Sequence, residues 1–206
     1  LSLFLIVAGV LFSDRLGIAA VGVAMARTFG TAAKHGKKQV DRFLSNDKLL
    51  LPTLWRCLVP VVVGHRPHIW VTMDWTDFDD DDHTTLAFAL ITQSGRTQPL
   101  VWQTVHKSQL KHRQRGYERA GLRQLKAALP QGLGVTIVAD RGFGDVKLYD
   151  YIYQTLGFHF VIRYRQSIYV GDDGWLVPSR DRVPLNGRCR VIHNTTLTAK
   201  EAGPYT

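Results

Sequence analysis

Glutamate is nearly missing from this chain: of 17 acidic residues among 206, only Glu118 and Glu201 are glutamate and the other 15 are aspartate. Any site that calls for a glutamate must therefore draw on one of those two. Cysteine is almost as rare. Cys57 and Cys189 stand alone, without a second cysteine or a histidine at ligand spacing, which excludes a thiolate zinc centre and a disulfide framework and suits a reducing cytosol. Long apolar runs are lacking as well. Leu3–Phe12 is too short to span a bilayer and is closed by Asp14 and Arg15, so no membrane span is expected. Ala24-Met25-Ala26 imitates a signal-cleavage site, but no basic segment precedes the apolar run, and the signal-peptide reading is set aside.

What the chain has in surplus is positive charge. Lys and Arg number 26 against 17 acids, a formal balance of +9, which favours a polyanionic partner, nucleic acid or an anionic membrane. A hydrophobic content of 45% over 206 residues is enough for one sizeable core with a smaller lobe. The chain opens on Leu1 and closes on Thr206 in a polar stretch, and a fragment of a longer protein is expected.

Three segments follow from the patterning. Residues 1–66 are Leu- and Ala-rich at helical spacing, with a basic patch at Lys34, His35, Lys37, Lys38 and Arg42 that serves either packing or contact with DNA phosphates. Residues 67–165 change character. Ile69–Asp74, Thr85–Thr92 and Gln98–His106 read as three strands with short connections, hence an antiparallel meander. Tyr117–Leu129 carries leucines at helical spacing before Pro130, and Val135–Asp140 reads as a buried strand. Asp145 is placed to cap a helix through Val146, Tyr149, Tyr153 and Leu156 that stops at Gly157, and Phe158–Arg163 forms a fifth strand. Residues 166–206 are irregular, with turn signals at Asp172-Asp173-Gly174 and Asn186-Gly187 that predict hairpins. The fold class expected is α/β: a ribonuclease-H-like core of three antiparallel strands and then helix-linked parallel strands, after an N-terminal helical region and before the start of a strand-rich insertion.

Two aspartates stand out by position. Asp74 closes Trp70-Val71-Thr72-Met73, and Asp140 closes Val135-Thr136-Ile137-Val138-Ala139. An ionised side chain after an apolar run is rigidly held yet open to solvent. If the two strands are neighbours, both carboxylates meet at one edge, where they repel unless a cation lies between them. Oxygen-only ligands select Mg²⁺ or Mn²⁺, and such ions promote cutting and joining of phosphodiesters. A turn cap would explain either residue alone.

The motif Asp74-Trp75-Thr76, and Ala139-Asp140-Arg141-Gly142-Phe143-Gly144-Asp145 ahead of a helix, resemble the first and second aspartate motifs of DDE transposases of the insertion-sequence-four family. Ala32-Ala33-Lys34-His35 through Val40-Asp41-Arg42-Phe43-Leu44-Ser45-Asn46 resembles that family's lead-in helices. The resemblance covers about Gly17 to Arg165. It implies a catalytic, metal-binding pair Asp74 and Asp140 taking Mg²⁺ or Mn²⁺. It also implies double-stranded DNA at element ends as partner, a homodimer in the synaptic complex as an allowed assembly, and a cytoplasmic, nucleoid-associated bacterial protein. The family's third motif, Tyr, Arg, Glu and Lys at set gaps, is not found: before Glu201 stand Leu197 in place of Arg and Asn194 in place of Tyr. A truncated, catalytically deficient transposase is therefore expected, the alternatives being a ribonuclease-H-like nuclease and a non-catalytic DNA-binding remnant.

The densest basic stretch, Lys107 to Lys126, supplies further DNA candidates: Lys111, Arg113, Arg115, Arg119, Arg123 and Lys126, of which Arg119, Arg123 and Lys126 can share a helix face. A plainly solvated face is the competing explanation. Gly142 and Gly144 are read as turn formers, Asp77 and Asp79–Asp82 as a solvated loop, and Trp75 and Trp102 as packing residues. The histidines show no metal-ligand spacing.

Overall fold

The computed structural model describes residues 2–163, 168–172, 175–186, 188, 191–193, 195–197 and 202–205. The chain divides into two compact units, Leu1–Leu51 and Pro52–Thr206. The first is three helices, α1 (Ser2–Leu11), α2 (Ile18–Thr28) and α3 (Ala33–Leu44), closed over Ile6, Val21, Met25 and Val40. α3 is strongly amphipathic. Gly36 and Val40 are buried, and at about 100° per residue Lys34, His35, Lys38 and Arg42 fall together on the opposite, exposed face.

The second unit begins with most of α4 (Leu51–Val63), whose Trp55, Val59 and Val63 recur at four-residue intervals and enter the main core. The meander follows: β1 (His68–Phe78), β2 (His83–Ile91) and β3 (Thr97–His106). A short helix α5 (Lys107–Leu110) leads into α6 (Gln114–Ala128), then come β4 (Gly134–Ala139), α7 (Val146–Asp150) and β5 (His159–Ile162). The five strands form one mixed sheet in the order β3-β2-β1-β4-β5. β1 is antiparallel to β2 and parallel to β4, and β5 is parallel to β4. The α/β reading and the three antiparallel strands stand.

Alternation along the strands sorts the sheet into two faces. Ile69, Val71 and Met73 of β1, Leu86 and Phe88 of β2, and Val135 and Ile137 of β4 point to one side and are buried. Leu122 and Leu125 of α6, fully buried, cover that side, each burial contributing about 1.5–3 kcal/mol. Tyr149 stacks on Phe160 there, with ring centroids 5.0 Å apart. The other side is more open: Trp70 is 48% exposed, and Asp74 and Val161 lie in solvent.

α6 approaches the sheet at Gly121, where an added Cβ would lie 2.5 Å from Phe88 Cε2. Phe88 has no exposed surface into which its ring could turn. Gly121→Ala is accordingly expected to cost about 1–3 kcal/mol by overpacking, read as a lower urea midpoint. An unchanged midpoint would show that the ring has room.

Three expectations change in detail. β1 continues past Asp74 to Phe78, because Trp75–Phe78 go on pairing with β2 after the parallel ladder to β4 has ended at Met73. The helix after Asp145 is regular only to Asp150. Tyr151–Thr155 is wound as a π-helix, with Leu156 N–H donating to Tyr151 C=O, before Gly157 at φ 67° ends it. The helix expected from Tyr117 starts earlier, at Gln114.

β6 (Tyr169–Asp172) and β7 (Trp175–Pro178) pair antiparallel about the first turn signal, Asp172 opposite Trp175, as the hairpin reading requires. With β8 (Thr195–Leu197) and β9 (Ala202–Tyr205) they make a small sheet in the order β7-β6-β8-β9. Asp173, Gly174 and Gly187 lie outside the described residues, and with Gly187 the second turn reading does too.

Candidate functional site: a carboxylate pair on the sheet edge

The β1–β4 ladder pairs Thr72 with Val138 and Met73 with Ala139. One step further along both strands stand Asp74 and Asp140. Neighbouring strands are about 4.8 Å apart, and both residues follow core-facing neighbours, so the two carboxylates emerge side by side on the open face. Both are exposed. The residues opposite Thr72 and Asp74 on β2 are Ala89, which is buried, and Ala87.

Asp140 is held by its own turn. Its Oδ1 accepts a hydrogen bond from Gly142 N–H at 2.8 Å, capping the 3₁₀ turn Arg141–Phe143 and leaving Oδ2 for another partner. Gly142 is not in the left-handed region. Its lack of a Cβ matters sterically, since that atom would sit 2.9 Å from Asp140 Oδ1. The turn is fastened at its far end: Asp145 Oδ1 accepts from Lys147 N–H at 3.2 Å and so caps α7, while Oδ2 pairs with Arg115 Nε at 2.7 Å.

Asp74 is steadied through its neighbour. Trp75 turns to the core side, and its indole Nε1–H donates to Glu118 Oε1 at 3.3 Å, an oxygen that also accepts from Gln114 Nε2 at 2.9 Å. Glu118 is only 3% exposed. Burial pushes its carboxyl above the ordinary carboxylate range and the Asp145 charge adds to this, against the lowering effect of the two hydrogen bonds and Arg115. The first turns of α6 therefore grip both segments that carry the aspartates.

The raised Glu118 value has a definite sign for stability. Protonated Glu118 contributes stability that is complete below the unfolded carboxylate range and is lost as pH rises through the higher folded value. Glu118→Gln keeps an acceptor for Trp75, and Gln114 can turn its amide to suit. The variant should match wild type near pH 4 and become the more stable of the two toward neutral pH. Melting midpoints of both proteins across that range check this, and a constant gap would refute it.

Other candidates are placed elsewhere. Beside α5 and the start of α6, a groove of about 950 Å³ is lined by Lys107, Lys111, His112 and Arg115 together with Gly142, Gly144 and Asp145. Lys111, Arg113 and Arg123 are exposed. Arg115, Arg119 and Lys126 are also exposed but reach the segment after β4. Arg119 Nη2 donates to Lys147 C=O at 3.2 Å and its guanidinium lies 5.2 Å from the Tyr151 ring, while Lys126 Nζ donates to Leu156 C=O at 3.1 Å over Phe158. In the first unit, Lys38 and Arg42 line one groove with His35, and Lys37 lines another depression with Arg15 and Arg27. Asp79–Asp82 are exposed. Lys107 bridges Asp77 and Asp79, and His106 Nε2 lies 3.2 Å from Asp82.

Sequence reasoning missed two residues. Glu118 stands four and seven residues before Leu122 and Leu125, on the apolar stripe of its helix, and that position was its signal. Arg163 closes the apolar run of β5 as Asp140 closes that of β4. Its N–H donates to Ala139 C=O at 3.1 Å, which continues the ladder in which Ala139 pairs with Ile162. By alternation its side chain shares the open face with Val161, so Asp74, Asp140 and Arg163 stand abreast on three adjacent strands.

Among the described residues, no three His, Cys, Asp or Glu side chains gather into a metal-binding group. The fit to a metal therefore rests on the pair. Two exposed oxygen donors suit Mg²⁺, which takes one or two carboxylates and otherwise water and substrate phosphate. Among the described residues no helix is long and apolar enough to cross a membrane. Neither a curated protein nor a solved structure matches the chain. Residues 88–201, more than half of the chain and including Asp140 and Arg163, match the family model described as a transposase DDE domain. On that match, which begins after Asp74, the chain belongs to the DDE transposase family.

Proposed function

We propose that this protein is the N-terminal and central part of an insertion-sequence transposase of the insertion-sequence-four family. It binds double-stranded DNA at the element's ends, acts with a second copy in a synaptic complex, and works in the bacterial cytoplasm at the nucleoid. The strand order, antiparallel then parallel, supports a ribonuclease-H-like core. The observation that carries the reading is the register alignment of Asp74 and Asp140 on one open face.

In this reading Asp74 and Asp140 hold Mg²⁺ or Mn²⁺, which would supply the charge that activates an attacking water or 3′-hydroxyl and steadies the leaving oxygen. The protein's own part is to keep the two carboxylates parallel, through Glu118 and Trp75 on one strand and the Gly142 and Arg115 contacts on the other. Lys34, Lys37, Lys38 and Arg42, with Lys111, Arg113, Arg115, Arg119, Arg123 and Lys126, are the cations offered to DNA phosphates.

Because the pair has no third carboxylate among the described residues, the chain is expected to bind duplex DNA without cutting it. Incubating it with supercoiled plasmid and Mg²⁺ tests this. Mg²⁺-dependent nicking that vanishes with Asp74→Ala would refute the deficiency while supporting the site. Absence of any duplex binding would count against the transposase reading itself.

A further inference from the structure

The row formed by Asp74, Asp140 and Arg163 raises an electrostatic question. Two carboxylates that receive a phosphodiester bring three negative charges to one sheet edge, and a single divalent ion leaves one of them uncompensated. The open face offers a cation at the same level. Arg163 lies one strand beyond Asp140, exposed, and among the described residues its guanidinium has no carboxylate partner. The position is also stiff. Ile162, the preceding residue, is 8% exposed in the core, and the Arg163 N–H is bonded to β4 next to Asp140 itself.

The side chains around Arg163 suit a bound anion. Val161 and Val138, paired one row before it on the open face, are apolar and offer no hydrogen-bond acceptor of their own side chains, while Asp140 stands level with Arg163 on the next strand. A guanidinium presents a planar fork that matches two oxygens of one phosphate. Lys107, by contrast, is engaged by Asp77 and Asp79, and Arg115 by Asp145.

We propose that Arg163 binds the non-bridging oxygens of the DNA phosphate that meets Asp74 and Asp140, so that metal and guanidinium together hold one phosphodiester. This rests on the proposed metal-binding role of the aspartate pair. Arg163 would then add affinity only when the metal brings the phosphate into place.

The test uses the whole chain, a fluorescent DNA duplex and Ca²⁺, which occupies carboxylate sites without promoting cleavage. Anisotropy titrations with Ca²⁺ and with EDTA give the metal-dependent gain in affinity. For Arg163→Ala that gain should fall roughly ten- to hundredfold, the range for a lost charge-assisted hydrogen bond, with EDTA binding nearly unchanged. Arg163→Lys should recover part of it, since it keeps the charge and loses the fork. Tb³⁺ luminescence of the protein alone should be the same in wild type and variants, because Arg163 does not hold the metal. A full metal-dependent gain in Arg163→Ala, or an equal loss with Ca²⁺ and EDTA, overturns the proposal. If the wild-type chain shows no metal-dependent gain, the metal-site reading falls and this inference falls with it. Should Arg163→Ala fail to fold by circular dichroism, Arg163→Gln gives the same comparison.

Discussion

Mn²⁺ is expected to stabilise the wild-type chain against heat, and alanine at either Asp74 or Asp140 is expected to abolish that effect. Binding to the folded state alone adds RT ln(1 + [L]/Kd), about 2.7 kcal/mol at a metal concentration one hundred times Kd. For a chain of this size that corresponds to a rise of roughly 5–10 °C in the melting midpoint. In the proposed site the carboxylates share the ion, so losing one should remove most of its affinity. Without metal Asp74→Ala should be no less stable than wild type, since its exposed carboxylate makes no capping bond, whereas Asp140→Ala also loses the cap to Gly142 N–H and should cost about 0.5–2 kcal/mol. Asp74→Ala therefore separates a metal site from a structural one. Asp80→Ala, in the exposed loop after β1, is the control and should leave the Mn²⁺ effect in place. Retention of the full shift in both Asp74→Ala and Asp140→Ala would end the metal-pair reading.

Duplex affinity should be lost steeply with salt. A surface that neutralises six to ten phosphates loses about 10³–10⁵ in affinity between 50 and 200 mM salt, through counterion release. The structure sorts the cations by what else they do. Lys38 and Arg42 share one exposed groove of α3, and replacing both with glutamine should lower the salt slope by about two at unchanged stability. Arg115 is tied to Asp145, and Arg119 and Lys126 to backbone carbonyls beyond β4. Their loss should reduce the melting midpoint as well as the affinity. A salt slope near zero, or slopes unmoved by the double substitution, would leave the basic surplus without a nucleic-acid role.

Much of this was readable in advance, for physical reasons. Apolar runs ending in a charge gave away Asp74 and Asp140, because such a run must be buried and its charged end cannot be. Short connections between strands forced an antiparallel meander, and a helix before β4 permitted a parallel return. Other features depend on pairings that no local pattern records. β1 outruns Asp74 since its hairpin with β2 extends past the ladder with β4. The π-helical winding at Tyr151 hides in a stretch whose apolar spacing suits an α-helix equally well. Glu118 was overlooked because charge usually signals exposure, whereas here an indole and an amide make its burial tolerable. Arg163 came into view only when the β4–β5 register set it beside Asp140.

The parallel ladder between β1 and β4 has a kinetic corollary. β1 and β2 are joined by a tight connection, so the strand carrying Asp74 can find that partner early. Its pairing with β4 joins His68 to Gly134 and must await closure of the intervening meander and α6. Because side chains alternate, a slip of one residue in that late step would turn Asp140 toward the core and leave Asp74 alone on the open face. Single-residue insertions in β4 should thus be far less tolerated than lengthening of the acidic loop. The two aspartates are brought together by the sheet contact of longest sequence separation, and a chain that misdocks there would keep its hairpin while separating the two carboxylates.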